Sequence, residues 1–75
     1  MIWEVCDPSV DPDEWRNVGD HGYSRDAVRE YLRTSDLDPN DVADMSFKLL
    51  ARPVSDREDI RKVTVRVVPA HFEVE

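Results

Sequence analysis

The sequence predicts an α+β domain in which helices cover one face of a small, mostly antiparallel sheet. Apolar residues recur at helical spacing in residues 24–33, and they alternate with polar residues in two segments after residue 46. The expected architecture has three to four strands and two to three short helices on one face, in the order β-α-α-α-β-β(-β). With 75 residues, the chain is expected to form one acidic domain, residues 1–75.

The N-terminal part is predicted to contain one strand followed by two helices. Residues 2–6 are rich in β-branched and aromatic side chains and precede an Asp-Pro pair, which predicts a short strand. Asp11 and Pro12 form a helix-start signal, so a short helix is predicted from there to Gly19. A clearer helix is predicted from Ser24, as its N-cap, to about Arg33.

The remaining elements are a third helix and two or three strands. An Asp-Pro signal predicts a short helix from Pro39 to about Met45. Residues 47–52 and 62–67 alternate in polarity and predict an antiparallel hairpin, and residues 71–75 predict a last edge strand. The side facing the helices should carry Phe47, Leu49, Val63, Val65 and Val67. The open side should carry Lys48, Arg52, Lys62 and Arg66, with Glu4, Glu73 and Glu75 as cross-strand partners.

Charge is distributed unevenly along the chain. The formal net charge is −7, from 10 basic and 17 acidic residues. Residues 1–44 contain 12 acidic and 4 basic residues, whereas residues 45–75 contain 5 acidic and 6 basic residues. This balance argues against direct nucleic-acid binding, which needs a basic patch, and favours attraction to basic surfaces.

Cysteine content and hydropathy indicate a cytoplasmic protein. Cys6 is the single cysteine, so no intramolecular disulfide is possible, and a reducing compartment is expected. No stretch is apolar enough to span a membrane, and the N-terminus lacks the features of a signal peptide.

Motifs for catalysis or metal binding are incomplete. Residues 36–40 fit the first ligand positions of an EF-hand loop, but Asp41 stands where glycine is required and Phe47 where glutamate is required. Cys6, His21 and His71 have neither zinc spacing nor a local nucleophile signature. We therefore expect no enzymatic activity, no metal and no cofactor.

The acidic clusters are the candidate binding residues. Eleven of the seventeen acids are aspartates, and four of them lie within residues 36–44 with no basic residue among them. Surface charge of this kind often serves only solubility, but a basic groove built for phosphates would also accept it. The residues expected to bind such a partner are Asp11, Asp13, Glu14, Asp20, Asp36, Asp38, Asp41 and Asp44.

In size, charge and acidic clusters at residues 11–20 and 36–44, the chain resembles small phage-encoded inhibitors of the anti-CRISPR class, several of which imitate DNA. The resemblance implies a non-catalytic inhibitor that occupies a basic nucleic-acid-binding groove, such as the DNA-recognition surface of a CRISPR effector subunit. It implies the cytoplasm of a phage-infected bacterium as the location. No membrane partner is expected, and the chain should be a monomer or a weak dimer. The alternative is a small regulatory or structural adaptor that binds through its sheet edge or face.

Overall fold

A computed structural model describes residues 1–35, 46–68 and 71–74. These residues form five strands, β1 (Ile2–Cys6), β2 (Arg16–Asp20), β3 (Ser46–Pro53), β4 (Arg61–Val68) and β5 (His71–Val74), and one helix, α1 (Ser24–Thr34). The strands make one sheet in the order β2-β1-β3-β4-β5, and every neighbouring pair is antiparallel. The helix packs against one face of this sheet.

The predicted fold class is wrong in its numbers of strands and helices. The described residues contain five strands and a single helix, instead of three to four strands and two to three helices. The helix predicted to end at Gly19 is absent, because residues 16–20 pair with β1 as an edge strand. Gly19 lies inside this strand with φ +88°, near an irregularity in the register. The predicted helix from Pro39 to Met45 lies outside the described residues.

Several individual elements are confirmed. The first strand occurs where its β-branched and aromatic residues predicted it, the hairpin of β3 and β4 where the alternation predicted it, and the last strand at the predicted position. The helix predicted from Ser24 to Arg33 is observed at Ser24–Thr34. Its predicted cap is wrong, because Tyr23 occupies the N-cap position with extended backbone angles and no side-chain cap bond forms.

The core lies between α1 and the helix-facing side of the sheet. Ala27, Val28 and Leu32 of the helix pack on buried side chains of three central strands, namely Trp3, Val5, Leu49, Ala51, Val63 and Val65. Phe47 is only half-buried and meets Phe72 edge to face, with ring centroids 6.4 Å apart. The alternation in β3 and β4 therefore identified the helix-facing side correctly.

The opposite side of the sheet, which we call the open face, carries the polar positions of the same strands. Here Glu4 pairs in register with Arg52, and Cys6 with Leu50. Further along, Lys48 lies opposite Thr64, and the exposed Lys62 and Arg66 stand on either side of that threonine along β4. The open face therefore has an ion-paired half at β1 and β3 and a basic half at β3 and β4.

Candidate functional site

The loop between β1 and β2 is an ordered structure that presents carboxylates. The Asp7 Oδ1 accepts hydrogen bonds from the Ser9 backbone N–H at 3.0 Å and from its hydroxyl at 2.6 Å. The Asp11 Oδ1 accepts a bond from the Asp13 N–H at 3.0 Å. Such aspartate-to-backbone bonds replace a regular turn and hold the chain in place. We call residues 7–14 the acidic loop.

The carboxylates of the acidic loop have no ion-pair partner among the described residues. Asp11, Asp13 and Glu14 are exposed, and Asp7 is half-buried. Most other described acids are neutralised by a nearby cation, namely Glu4, Asp20, Asp26, Glu30 and Asp59. The loop is therefore a cluster of carboxylates that form no ion pair within the described residues.

A small open cleft lies beside this loop, against the helix. Its volume is about 150 Å³, and it is lined by Asp7, Val10, Asp11, Glu14, Arg16 and Tyr31. The Arg16 guanidinium lies 4.8 Å from the centre of the Tyr31 ring, within the range of a cation–π interaction, and these two side chains form one wall of the cleft. Burial raises the pKa of the Tyr31 hydroxyl above its ordinary value.

The structure assembles only part of the predicted acidic surface. Asp11, Asp13 and Glu14 lie together in the acidic loop, as proposed from the sequence. Asp20 lies at the other end of β2, where its carboxylate accepts a hydrogen bond from the N-terminal amino group, and this bond lowers the pKa of Asp20. The other four predicted residues, Asp36, Asp38, Asp41 and Asp44, lie outside the described residues.

A buried ion-pair cluster on the open face was only partly predicted. Glu4 is 7% exposed, and its Oε1 accepts bonds from the Arg52 Nε at 2.6 Å and the Arg57 Nε at 3.3 Å. The Arg52 guanidinium lies 3.8 Å from the centre of the Trp15 ring. The period-two pattern indicated the pairing of Glu4 with a neighbouring strand. It did not reveal Trp15, which reaches this cluster from the loop.

Cys6 and His21 contact different backbone carbonyls. The Cys6 thiol is fully buried and donates to the backbone carbonyls of Asp11 and Pro12, at 3.3 and 3.5 Å. His21 Nε2 lies 2.8 Å from the carbonyl oxygen of Val18. Within residues 1–35, 46–68 and 71–74, no three histidine, cysteine or carboxylate side chains cluster as metal ligands. Nor does any helix there reach the length and apolarity needed to cross a membrane.

We expect the Cys6 thiol to be protected from reagents in the folded protein. Burial, and then the charge of Asp7, raise the pKa of this thiol above its ordinary value of 9.0. Its reaction with a disulfide reagent should be at least about 100-fold slower in the folded protein than in denaturant, because the reagent reaches the thiol only when the structure around it opens. A 100-fold difference corresponds to a free energy of opening of about 2.7 kcal/mol. Equal rates in both conditions would contradict the observed burial.

The raised pKa of the Cys6 thiol also makes the free energy of unfolding depend on pH in the alkaline range. The unfolded chain releases the thiol proton at a lower pH than the folded protein does, so this contribution to stability is complete below the ordinary cysteine pKa. It should decline as the pH rises beyond 9.0 and towards the folded value. Denaturant titrations at several alkaline pH values, with Cys6→Ala as the comparison, measure the decline. The raised pKa of the Tyr31 hydroxyl also makes stability decline at alkaline pH, and it does so in both the wild-type protein and Cys6→Ala.

Comparison of the chain with protein-family models, curated proteins and solved structures finds no match.

Proposed function

We propose that this protein is a non-catalytic inhibitor whose acidic loop occupies a basic, nucleic-acid-binding groove of a partner protein. The observation that carries the proposal is the set of loop carboxylates without ion-pair partners among the described residues. Lysines and arginines that hold phosphates would bind these carboxylates by the same charge-assisted hydrogen bonds.

Two features of the loop support binding over simple solubility. The carboxylates of Asp7 and Asp11 accept hydrogen bonds from backbone N–H groups, so these two side chains have little conformational entropy left to lose when a partner binds. The negative charge is also concentrated, because most other described acids are paired. Concentrated charge of one sign accelerates the encounter with a groove of the opposite sign.

The resemblance to anti-CRISPR inhibitors suggests a class of partner. We propose a CRISPR effector subunit, whose DNA-recognition channel is positively charged and reads the nucleic-acid backbone. The proposed location is the cytoplasm of a phage-infected bacterium, which agrees with a single free cysteine.

The test compares two variants that lose the same charge at different places. The loop variant carries Asp11→Asn, Asp13→Asn and Glu14→Gln. Asparagine at position 11 keeps a side-chain oxygen that can accept the hydrogen bond from the backbone N–H of residue 13, so the fold should be retained. The control variant carries Asp56→Asn, Glu58→Gln and Glu73→Gln, which are exposed acids without ion pairs among the described residues.

Wild-type protein and both variants would be used to capture proteins from bacterial lysate, and each captured protein would be tested by surface plasmon resonance. We expect the loop variant to associate about tenfold more slowly with the authentic partner, with a weaker dependence on salt, because steering acts on the encounter. Duplex DNA should displace the wild-type protein. Equal association rates for the loop and control variants would show that the acidic loop is not part of the binding surface.

A second candidate function is an adaptor that binds through a strand edge. The sheet order leaves β2 and β5 each paired on one side only within the described residues, so each presents backbone groups to a possible partner strand. Unchanged binding by the loop variant would favour this function.

A further inference from the structure

A guanidinium group already lies in the cleft beside the acidic loop. Arg16, the first residue of β2, lines this cleft, and its guanidinium lies 4.8 Å from the centre of the Tyr31 ring. Arg16 takes part in none of the ion pairs observed among the described residues, although three carboxylates line the same cleft. The aromatic wall of the cleft therefore contacts one planar cation, while the carboxylates remain open to a second.

The carboxylates of the cleft keep unused hydrogen-bond acceptors. Asp7 and Asp11 accept the bonds from Ser9 and Asp13 through their Oδ1 atoms. Their Oδ2 atoms, and both carboxylate oxygens of Glu14, accept no hydrogen bond from the described part of the chain. An ionised carboxylate has about four lone-pair sites, so each of these groups can accept a bond from an incoming N–H donor.

The cleft also presents apolar surface beside its charges. Val10, which lines the cleft together with the Tyr31 ring, is 80% exposed. No three carboxylate, histidine or cysteine side chains in residues 1–35, 46–68 and 71–74 are placed to hold one metal ion, so the cleft suits a larger cation. An arginine side chain combines an apolar stem with a charged planar head. The lining of this cleft, whose volume is about 150 Å³, offers a surface for each.

We propose that this cleft is the subsite that receives an arginine side chain of the partner protein. The guanidinium pairs with the carboxylates of Asp11 and Glu14, and the stem of the side chain lies on Val10. Arginine is favoured over lysine because a guanidinium binds a carboxylate through two parallel hydrogen bonds. Arg16 opposes the incoming cation, since it is a like charge in the same cleft. The inference rests on the proposed function, because the arginine comes from the basic groove that the acidic loop occupies.

The experiment uses a blocked arginine, N-acetyl-arginine N-methylamide, which carries the side chain of a protein-borne arginine without free termini. It is titrated into isotope-labelled protein, and the chemical shifts of the backbone amides give both the affinity and the place of binding. The largest shifts are expected in the cleft, at Val10, Asp11, Glu14, Arg16 and Tyr31. Exposed acids elsewhere should shift little, namely Asp56, Glu58 and Glu73. The lysine counterpart of the probe should bind at least about threefold more weakly.

Two substitutions in the cleft should change the affinity for the probe in opposite directions. Glu14→Gln removes a carboxylate and should weaken binding at least about threefold, whereas Arg16→Gln removes the opposing cation and should strengthen binding about threefold. The matched controls are Glu58→Gln and Arg25→Gln, which change the net charge equally at exposed residues outside the cleft. Both controls should bind the probe as the wild type does. Circular dichroism and melting curves check that all four variants fold.

Three results would overturn the proposal. Shifts spread evenly over the exposed acids would show a general attraction of cations to an acidic chain. Equal strengthening by Arg16→Gln and Arg25→Gln would show that net charge, not the cleft, determines the affinity. Tighter binding of free arginine than of the blocked form would assign the cleft to a small molecule instead of a partner's side chain.

Failure of the proposed function gives a different result. The probe would then bind in the cleft as expected, while the loop and control variants of the capture experiment associate equally fast with the captured protein. That result would support the arginine subsite and refute only the nucleic-acid-binding partner. Conversely, slower association of the loop variant, without binding of the probe in the cleft, would retain the proposed function and refute the subsite.

Discussion

Val65→Asp is expected to unfold the domain. Val65 is fully buried at the centre of the helix-facing side, where it pairs in register with Phe47 and Val74. A carboxylate there would lack a partner, and an unpaired buried charge costs several kcal/mol. A domain of this size is only marginally stable, so a loss on this scale should abolish the cooperative transition. Circular dichroism and thermal melting measure the result.

The neighbouring position on the same strand provides the control. Thr64 is half-buried and projects onto the open face, opposite Lys48 and between Lys62 and Arg66. Thr64→Asp should leave the melting temperature within a few degrees of wild type, because the new charge is solvated and close to cations. If both variants were equally stable, the assignment of the two sides of β4 would be wrong.

Arg52→Met is expected to destabilise the protein by about 3 kcal/mol, because it leaves the Glu4 carboxylate buried without its shorter ion pair. Methionine keeps an apolar side chain against Trp15, so the loss reports mainly on the charge. Arg57 still reaches Glu4 at 3.3 Å, although its side chain is largely exposed and compensates little. Urea unfolding measures the difference in the free energy of unfolding.

The double variant Glu4→Met with Arg52→Met separates the two possible causes. An apolar pair of similar volume removes the uncompensated charge, so the double variant should recover most of the stability that the single variant loses. A double variant as unstable as Arg52→Met alone would show that the arginine acts through packing on Trp15. Glu4→Met alone completes the cycle.

Local pattern was sufficient where a segment carries its own apolar face. Helix α1 places Ala27, Val28 and Leu32 on one side, and β4 alternates three valines with polar residues. A helical spacing places the apolar residues on one side only if the segment is a helix, and an alternating spacing does so only if the segment is a strand. The sequence therefore predicts both elements and the side of each that faces the core. The exposure of Asp11, Asp13 and Glu14 was predictable for a related reason, since unpaired carboxylates remain in water.

The edge strand β2 depended on tertiary pairing. Residues 16–20 contain a single apolar residue of appreciable size, Val18, so they have no periodicity of their own. The Asp-Pro signal before them matched a helix start, but the Asp11 side chain bonds within a turn instead. The backbone groups of Arg16–Asp20 are satisfied by β1, and this long-range pairing cannot be inferred from local propensity.

The grouping of charges on the surface was likewise decided by the fold. The sequence determined that this chain is acidic, that its single cysteine allows no intramolecular disulfide, and that its excess of acids lies in residues 1–44. Only the pairing of the strands placed Asp20 at the end of β2 away from the acidic loop and set Glu4 opposite Arg52. The physical reason is that strand register places residues distant in sequence about 5 Å apart, whereas an extended strand such as β2 carries Asp20 away from acids only a few residues before it.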